Sequence, residues 1–243
     1  LQKKGHSITT IAPTNSIIPL LKCSINSEKI RFIEKIGYED IKNFDLKTIV
    51  LNLPYILDLV DHPPPPISFD FEKLEKNKKR LVKKLEKLKE LGEIIGVSWK
   101  GNKKHLHDGS RSINLKLFSR IFKNNKITFL VVDKDISNKD KSFLKKFKNV
   151  VLCDDLISSW VDTAIIVSRL DQVITVDTSL AHIAGTLNIP TKIMISKVPD
   201  WRWGLKKSTT EWYKSVKLVR QQNTGDWESV INSLAKKLSS KDI

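Results

Sequence analysis

The stretch VITVDTSLAHIAG, residues 173–185, passes from a strand-like pattern to a helical one within a single step. The run from Val173 to Val176 suits a buried strand, and small residues with helical spacing follow it. Asp177, Thr178 and Ser179 stand at the junction. The stretch therefore predicts a strand that feeds directly into a helix, with short polar side chains at the turn between them.

The same alternation continues on both sides of this stretch. The strand-like runs are HSITTIAP, KIRFIEK, DLKTIVLNLPYIL, EIIGVSWKGN, ITFLVVDKD, NVVLCDDL, QVITVDTS, PTKIMIS and VKLVRQ. The helical runs are SIIPLLKCS, NLKLFSRIFKN, SSWVDTAIIVSRL, SLAHIAGTLN and DWESVINSLAKKL, with Asp226 as the expected cap of the last. Strands that alternate with helices predict right-handed βαβ units and a parallel sheet, so the expected fold class is α/β.

Two features mark a boundary in the first half of the chain. Pro54 is expected to end the third strand, and the four consecutive prolines at 63–66 predict a stiff surface connector. Residues 70–91 then predict one basic amphipathic helix, stopped near Gly92. Packing against a domain boundary is favoured over a position on a membrane surface. The apolar face of this helix is formed by Leu74, Leu81, Leu85 and Leu88.

Composition limits the classes of partner. The 243 residues carry 43 basic and 27 acidic side chains, a net charge of +16 that would suit nucleic acid, anionic lipid or phosphorylated substrates. No nucleic-acid recognition motif accompanies this charge, and much of it lies on a helix with alternating signs, which is typical of a solvated surface. Cys23 and Cys153 are expected to be reduced core thiols. We expect neither a membrane span nor a signal peptide, and the first residues resemble a chain entered just before a strand.

The junction at Asp177, Thr178 and Ser179 is the first candidate site. Parallel sheets bind ligands beyond the carboxyl ends of their strands, and a helix N-terminus offers unpaired N–H groups with a partial positive charge. Hydroxyl donors beside it would complete a cradle for phosphate oxygens. The alternative is an ordinary N-cap, in which Asp177 or Thr178 only satisfies backbone donors. His182 has the spacing to share this face, or it is a core imidazole.

The segment GVSWKGNKKHLHDGSRS, residues 96–112, is the second candidate, because it too follows a strand. Trp99 would be an aromatic platform, Lys100 a point charge and Arg111 a phosphate clamp. Lys103 and Lys104 are expected to be solvated, and His105 and His107 lack the carboxylate partners that a metal site needs.

The segment 198–221 contains Trp201, Trp203, Trp212 and Tyr213. Such aromatics can stack on a base or a sugar, with Arg202 adding charge. They are equally consistent with a small separate core that fixes a long loop.

The three segments GVSWKGNKKHLHDGSRSI, VITVDTSLAHIAGTLNIPTKIMI and PDWRWGLKKSTTEWYKSVKLVRQQNTGDWESVI together resemble glycosyltransferase family 9, the heptosyltransferase group. Members of this bacterial family often carry tetratricopeptide repeats upstream. The resemblance covers residues 92–241 well and implies a GT-B-like fold of two Rossmann-like parallel-sheet domains. The expected units are a partial acceptor domain at 1–70, a connecting helix at 71–91 and a donor-binding domain at 92–243.

The resemblance implies an enzyme that takes a sugar from a nucleotide diphospho-sugar and passes it to a glycan, lipid-linked glycan or protein. The expected location is the cytoplasm, with peripheral contact at the inner face of the membrane as an open alternative. The resemblance also implies no cofactor and no bound metal, because helix dipoles and basic side chains take up the charge of the leaving diphosphate. The expected diphosphate contacts are Asp177, Thr178, Ser179, His182, Lys100 and Arg111. The expected nucleoside and sugar contacts, which include the aromatic platform at Trp99, are Trp99, Asn102, Asp162, Thr163, Asp200, Trp201 and Arg202.

The first strand of the family and its glycine-containing loop are expected before Leu1, so the N-terminal domain is expected to be incomplete and no catalytic base is assigned. Three alternatives therefore stay open. The chain is a non-catalytic nucleotide-sugar binding module, a basic adaptor for an anionic glycan or lipid surface, or an epimerase of the same fold.

Overall fold

The computed structural model describes residues 5–12, 14–24, 30–49, 52–58, 69–75 and 78–239. Within these residues the strands are β1 Ile8–Ile11, β2 Ile30–Ile33, β3 Ile94–Ser98, β4 Thr128–Val131, β5 Val150–Leu152, β6 Gln172–Val176, β7 Thr191–Ile195 and β8 Val216–Arg220. The helices are α1 Ile18–Ser24, α2 Tyr38–Ile41, α3 Leu53–Ile56, α4 Phe71–Glu75, α5 Lys79–Lys89, α6 Asp108–Arg111, α7 Leu115–Phe118, α8 Asn138–Leu144, α9 Trp160–Ser168, α10 Ser179–Thr186 and α11 Trp227–Ser239.

Strands β3 to β8 form one parallel sheet in the order β5-β4-β3-β6-β7-β8. The chain moves outward from β3 to β5 and then returns to place β6 beside β3, with Ser98 opposite Thr175. This is a doubly wound order, and its switch point lies between β3 and β6, where open α/β sheets bind ligands. The predicted α/β class with parallel strands is therefore confirmed.

Helices cover both faces of this sheet, which explains why β3 and β6 are buried along their whole length. On one face α7, the 3₁₀ turn Ser119–Lys123 and α11 pack Phe118, Phe122 and Ile231 against the strands. On the other face Leu85 of α5 and Ile165 of α9 lie in a second apolar layer, which α10 joins. Each fully buried side chain of this size stabilises the fold by about 1.5–3 kcal/mol.

The beginning of the chain forms a second, smaller sheet. Strands β1 and β2 pair in parallel, with Ile8 opposite Ile30, and α1 packs Leu20 into the apolar layer that contains α9. Among the described residues this sheet has two strands. The division into units at 1–70, 71–91 and 92–243 stays a prediction.

The strand predicted for DLKTIVLNLPYIL is wrong in its described part. Residues 45–49 form no strand, and Leu53–Ile56 form the short helix α3. Proline lies in the first turn of α3, where its missing N–H has no intrahelical partner to lose. The predicted connector at prolines 63–66 lies outside the described residues.

Two helix predictions need correction, and one helix was missed. The helix predicted over 70–91 is two helices, α4 and α5, of which α5 buries Leu81 and Leu85, and Gly92 follows with a positive φ of 116°. The helix predicted at NLKLFSRIFKN tightens after α7 into a 3₁₀ turn, and the Asn114 side chain caps its start. Helix α8 was not predicted, because its run of lysines has no clear apolar face. The side chain of Leu74 lies outside the described residues.

Candidate active site at the sheet switch point

Two crevices open at the carboxyl edge of the large sheet and meet at the start of α10. The β8 crevice, of about 880 Å³, lies beyond the ends of β6, β7 and β8. The β4 crevice, of about 1140 Å³, lies beyond β3 and β4 and beside the start of α9. The residues that line both crevices are His105, Arg111, Thr178 and Ser179.

The N-terminus of α10 is open to both crevices. Thr178 is its N-cap residue in extended conformation, yet its side chain forms no capping hydrogen bond. The Thr178 hydroxyl instead lies 3.2 Å from the hydroxyl of Thr175. The alternative that a Thr178 side chain satisfies the helix is therefore wrong, and the partial positive charge of the helix faces the crevices.

The loop after β3 is held against this helix start by Arg111. Its Nη1 atom donates to the main-chain oxygen of Asp177 at 2.9 Å, and its Nε atom lies 3.3 Å from the Asp108 carboxylate. A methyl group on Gly101 would lie 2.5 Å from Nη2 of the same guanidinium. A larger side chain at 101 would therefore have to displace the Arg111 guanidinium or the Asp108 carboxylate.

Lys100 and Asn102 line the β4 crevice, as does Thr163 at the start of α9. The Lys100 ammonium donates to the main-chain oxygen of Asp135 and lies 3.7 Å from Asp133. Burial raises the pKa of Asp133, although Lys100 and the Asp135 N–H oppose the shift. Lys100 is therefore held in a fixed position by the loop after β4.

Trp99 is not the open platform that was expected. It is 2% exposed and packs on Phe118 with ring centroids 5.9 Å apart. The indole follows β3, belongs to the apolar layer beneath α7 and lines neither crevice.

Asp162 is also placed away from the crevices. It is 1% exposed, and its carboxylate accepts hydrogen bonds from the N–H and hydroxyl groups of Ser158 and Ser159. The Lys78 ammonium lies 2.6 Å from its second oxygen. Burial alone raises the pKa of Asp162, but Lys78 and the serine hydrogen bonds outweigh it and lower the pKa below its usual value. The predicted nucleoside contact is therefore a structural capping residue of α9.

The aromatic loop divides into a packed part and an exposed part. Trp203 is 2% exposed and stacks on the His182 ring at a centroid distance of 5.3 Å. The Tyr213 hydroxyl lies 3.0 Å from His182 Nδ1. The small-core alternative therefore holds for Trp203 and Tyr213. Trp201 is 62% exposed, packs edge-on against Trp212 and lines neither crevice.

Asp200 and Arg202 form one wall of the β8 crevice. The Asp200 carboxylate accepts from the Arg202 N–H at 3.0 Å and lies 3.2 Å from its Nε atom. His182 lines the same crevice, and burial lowers its pKa; Asp177 and Asp200 oppose this shift and Arg202 reinforces it. The His182 imidazole is therefore harder to protonate than a free histidine.

Sequence reasoning missed the contributions of β7 and β8 to the site. Ser196 and Lys197 follow β7, and Gln221 follows β8. Thr224 and Trp227 come a few residues after Gln221. No composition or motif signal marked Gln221, because its place in the crevice wall depends on the order of the strands. For Ser196 and Gln221, the position one residue beyond a strand end is the signal that would have found them.

Three further observations concern chemistry outside the crevices. Cys23 and Cys153 are unpaired, and burial raises the pKa of the Cys153 thiol to about 12.

Within the described ranges no three His, Cys, Asp or Glu side chains are grouped as a metal site would need. None of the helices in the described part of the chain is long and apolar enough to cross a membrane.

No family profile and no curated protein sequence matches this chain. Among solved structures, a glycosyl transferase of family 9 from Veillonella parvula DSM 2008 matches with a TM-score of 0.51 and 11% identity, covering 79% of this chain and 58% of that one. The E. coli heptosyltransferase WaaC with ADP-2-deoxy-2-fluoro heptose matches with a TM-score of 0.45 and 14% identity, covering 63% of this chain and 44% of that one. This chain thus spans less than two thirds of either structure, and it shares the fold of the Veillonella glycosyl transferase.

Proposed function

We propose that this chain transfers a sugar from a nucleotide diphospho-sugar to a glycan, lipid-linked glycan or protein acceptor. The observation that carries the proposal is the uncapped N-terminus of α10, which opens at the sheet switch point where two crevices meet. A helix start with free N–H groups binds phosphate oxygens, and crevices on either side leave room for the two groups that a diphosphate joins. The shared fold with a family 9 glycosyl transferase supports the same reading.

In this proposal the start of α10 stabilises the negative charge that grows on the departing diphosphate. Ser179 adds a hydroxyl donor, and Lys100 and Arg111 add positive charge from the loop after β3. Fixed donors of this kind do not have to reorganise during the reaction, and removing one commonly raises the barrier by about 3 kcal/mol. We propose that these groups act without a bound metal.

A non-catalytic nucleotide-sugar binding module is the second candidate. The observation in its favour is that, among the described residues before 90, Ser16 alone lines either crevice. No carboxylate from that part of the described chain lines either crevice. Slow or absent turnover with intact nucleotide binding would favour this second candidate.

The proposed setting is the cytoplasm, with contact at the inner face of the membrane as a further proposal. The net charge of +16 supports contact with anionic lipid or glycan surfaces. A purely basic adaptor would bind such surfaces with steep salt dependence and would not need Thr178 or Ser179.

Binding calorimetry with ADP, UDP and GDP tests the placement of the diphosphate. The double variant Ser179→Ala, Lys100→Ala is expected to weaken binding of the preferred diphosphate well beyond about tenfold, because both donors are lost. The double variant Ser208→Ala, Lys139→Ala is a matched control, since it removes one exposed hydroxyl and one exposed ammonium outside both crevices. Equal affinities for the two double variants would contradict the proposal.

A further inference from the structure

Residues 197–207, which come just after β7, form a surface loop that we call the Trp201 loop. Three large apolar side chains of this loop face solvent: Val198 is 78% exposed, Trp201 62% and Leu205 74%. Single exposed apolar residues are common on soluble domains, whereas several close together indicate a surface that contacts something other than water. The loop is therefore a candidate interaction surface.

Groups beneath the Trp201 loop hold it in one shape. Arg220, the last residue of β8, donates hydrogen bonds to the main-chain oxygens of Trp203 and, at 3.0 Å, of Gly204. It also donates to the main-chain oxygen of Lys207 at 2.8 Å. The Trp203 side chain is buried, whereas Trp201, two residues earlier, is exposed. The fold thus keeps the Trp201 indole at the surface instead of burying it beside Trp203.

Positive charge accompanies these apolar side chains. The basic residues of the loop are Lys197, Arg202, Lys206 and Lys207, and its one acidic residue is Asp200. Asp200 lies 3.2 Å from Arg202, and Glu211, outside the loop, lies 2.8 Å from Lys207. The other two basic residues are exposed. The loop therefore has a net charge of +3, which is complementary to an anionic surface.

This combination of side chains favours a lipid bilayer over a glycan or a second copy of the chain. Tryptophan has an apolar ring with one N–H group, and it is enriched where the hydrocarbon of a bilayer meets water. The aliphatic side chains of Val198 and Leu205 form no hydrogen bond to a glycan, but they gain free energy on entering lipid. A second copy would bring the same positive loop, and like charges repel. Basic residues beside exposed apolar ones are the pattern that binds anionic bilayers.

The Trp201 loop also forms one side of the β8 crevice, because Lys197, Val198, Asp200 and Arg202 line it. A bilayer in contact with the loop would therefore lie beside this crevice. An acceptor that a lipid holds in the membrane would then reach the crevice without leaving the bilayer surface. The position of the loop thus suits the lipid-linked glycan among the proposed acceptors.

We propose that the Trp201 loop docks on a bilayer that contains anionic lipid, with Trp201 and Leu205 entering the interface and the basic side chains beside the headgroups. This inference rests on the membrane contact that is part of the proposed function. It does not depend on where a diphosphate binds, so vesicle binding and nucleotide binding test the two proposals separately.

Sedimentation with vesicles tests the inference. The vesicles are phosphatidylcholine alone, or phosphatidylcholine mixed with phosphatidylglycerol. We expect the wild-type protein to bind the mixed vesicles at least about tenfold more tightly, since each basic residue near an anionic surface strengthens binding roughly fivefold. The double variant Trp201→Ser, Leu205→Ser is expected to bind them at least about tenfold more weakly than the wild type.

The double variant Tyr55→Ser, Leu91→Ser is the matched control for the loop variant. It removes one aromatic and one leucine side chain that are 82% and 70% exposed elsewhere on the chain. We expect it to change the affinity for the mixed vesicles by less than about twofold. Equal losses in the two double variants would overturn the inference. Equal affinity of the wild type for both kinds of vesicle would overturn it too, as would binding to neither.

A second measurement reports which side chain enters the lipid. Of the six tryptophans, all of them in the described part of the chain, Trp201 is the one that is exposed. Lipids with brominated acyl chains quench the fluorescence of indoles that enter a bilayer. Trp201→Phe keeps an aromatic ring and is expected to remove at least about half of this quenching, whereas Trp160→Phe is expected to leave most of it. Equal quenching in the two variants would contradict docking through Trp201.

Two further outcomes separate this inference from its alternatives. A dimer that the loop variant abolishes in analytical ultracentrifugation, without vesicle binding by the wild type, would assign the loop to a second copy and overturn the inference. Calorimetry with ADP, UDP and GDP is expected to give the loop variant the wild-type affinity within about twofold, because Trp201 and Leu205 line neither crevice. A wild type that binds mixed vesicles but no diphosphate would support the docking surface and contradict the proposed diphosphate site.

Discussion

Arg111 Nη1 donates a hydrogen bond of 2.9 Å to the main-chain oxygen of Asp177 and thereby ties the loop after β3 to the end of β6. These two strands are neighbours at the switch point of the sheet. The contact therefore holds a charged loop at the open start of α10, where the two crevices meet. Arg111 lines both crevices, so one side chain connects the geometry of the loop to the proposed diphosphate position.

Replacing Arg111 by lysine is expected to weaken binding of the preferred nucleotide diphosphate by about tenfold. A lysine keeps the charge but cannot contact Asp177 and Asp108 with one planar fork. Calorimetry on Arg111→Lys gives the affinity. Arg120→Lys serves as the control, since Arg120 pairs with Glu228 at 2.6 Å away from both crevices. A similar loss in both variants would show that the Arg111 contact is not specific to the site.

Asp162→Asn is expected to lower the free energy of unfolding by about 3 kcal/mol. The substitution leaves the Lys78 ammonium without its carboxylate partner. It also weakens the four hydrogen bonds that the carboxylate accepts from Ser158 and Ser159. Urea denaturation measures the change. Asp155→Asn is the control, since its contact with Lys84 is exposed and 3.9 Å long. A loss of less than about 1 kcal/mol in Asp162→Asn would contradict the structural role.

Gly185→Ala tests the packing under α10. A methyl group at 185 would lie 2.4 Å from the ring of Tyr213, which the structure cannot accept without moving that ring from His182. We expect a loss of about 1–3 kcal/mol in the free energy of unfolding, despite the better helix propensity of alanine. Gly109→Ala, where a methyl group would meet nothing within 4 Å, is expected to be neutral or slightly stabilising. Stabilisation by both substitutions would contradict the packing.

The lowered pKa of His182 predicts a pH-dependent stability. Below the usual histidine pKa of about 6.5 the unfolded chain binds a proton that the folded chain does not, so folding weakens as the pH falls from 7.5 toward 5.5. One proton contributes at most about 1.4 kcal/mol per pH unit. Denaturation curves for His182→Gln are expected to show a smaller loss over this range than the wild type. If His182→Gln loses as much stability as the wild type over this pH range, groups other than His182 cause the effect.

The sequence was sufficient for the large sheet, because β3, β4 and β6 are continuous apolar runs and the polar residues after β6 mark a strand end. It was not sufficient where long-range contacts decide a side chain's surroundings. Trp99 follows a strand as a site residue would, yet α7 covers it with Phe118. Whether an aromatic after a strand faces ligand or core depends on that covering helix.

Asp162 and Gln221 illustrate two different limits of prediction from the sequence. The spacing of Ser159 and Asp162 was readable as a capping box, but the family resemblance pointed instead to a nucleoside contact. No local sequence pattern marks Gln221. Its buried position depends on β7 and β8 being neighbours and on backbone donors from two loops. The early strand prediction failed for a third reason, because β-branched residues around Thr48 gave a local preference that the chain does not follow.

The most direct test of the account is a crystal structure with the preferred nucleotide diphosphate bound. The account predicts phosphate oxygens about 2.7–3.2 Å from the backbone N–H groups of Ser179 and Leu180, with Arg111 alongside. A diphosphate bound elsewhere on the chain, with the start of α10 left in contact with solvent alone, would contradict it.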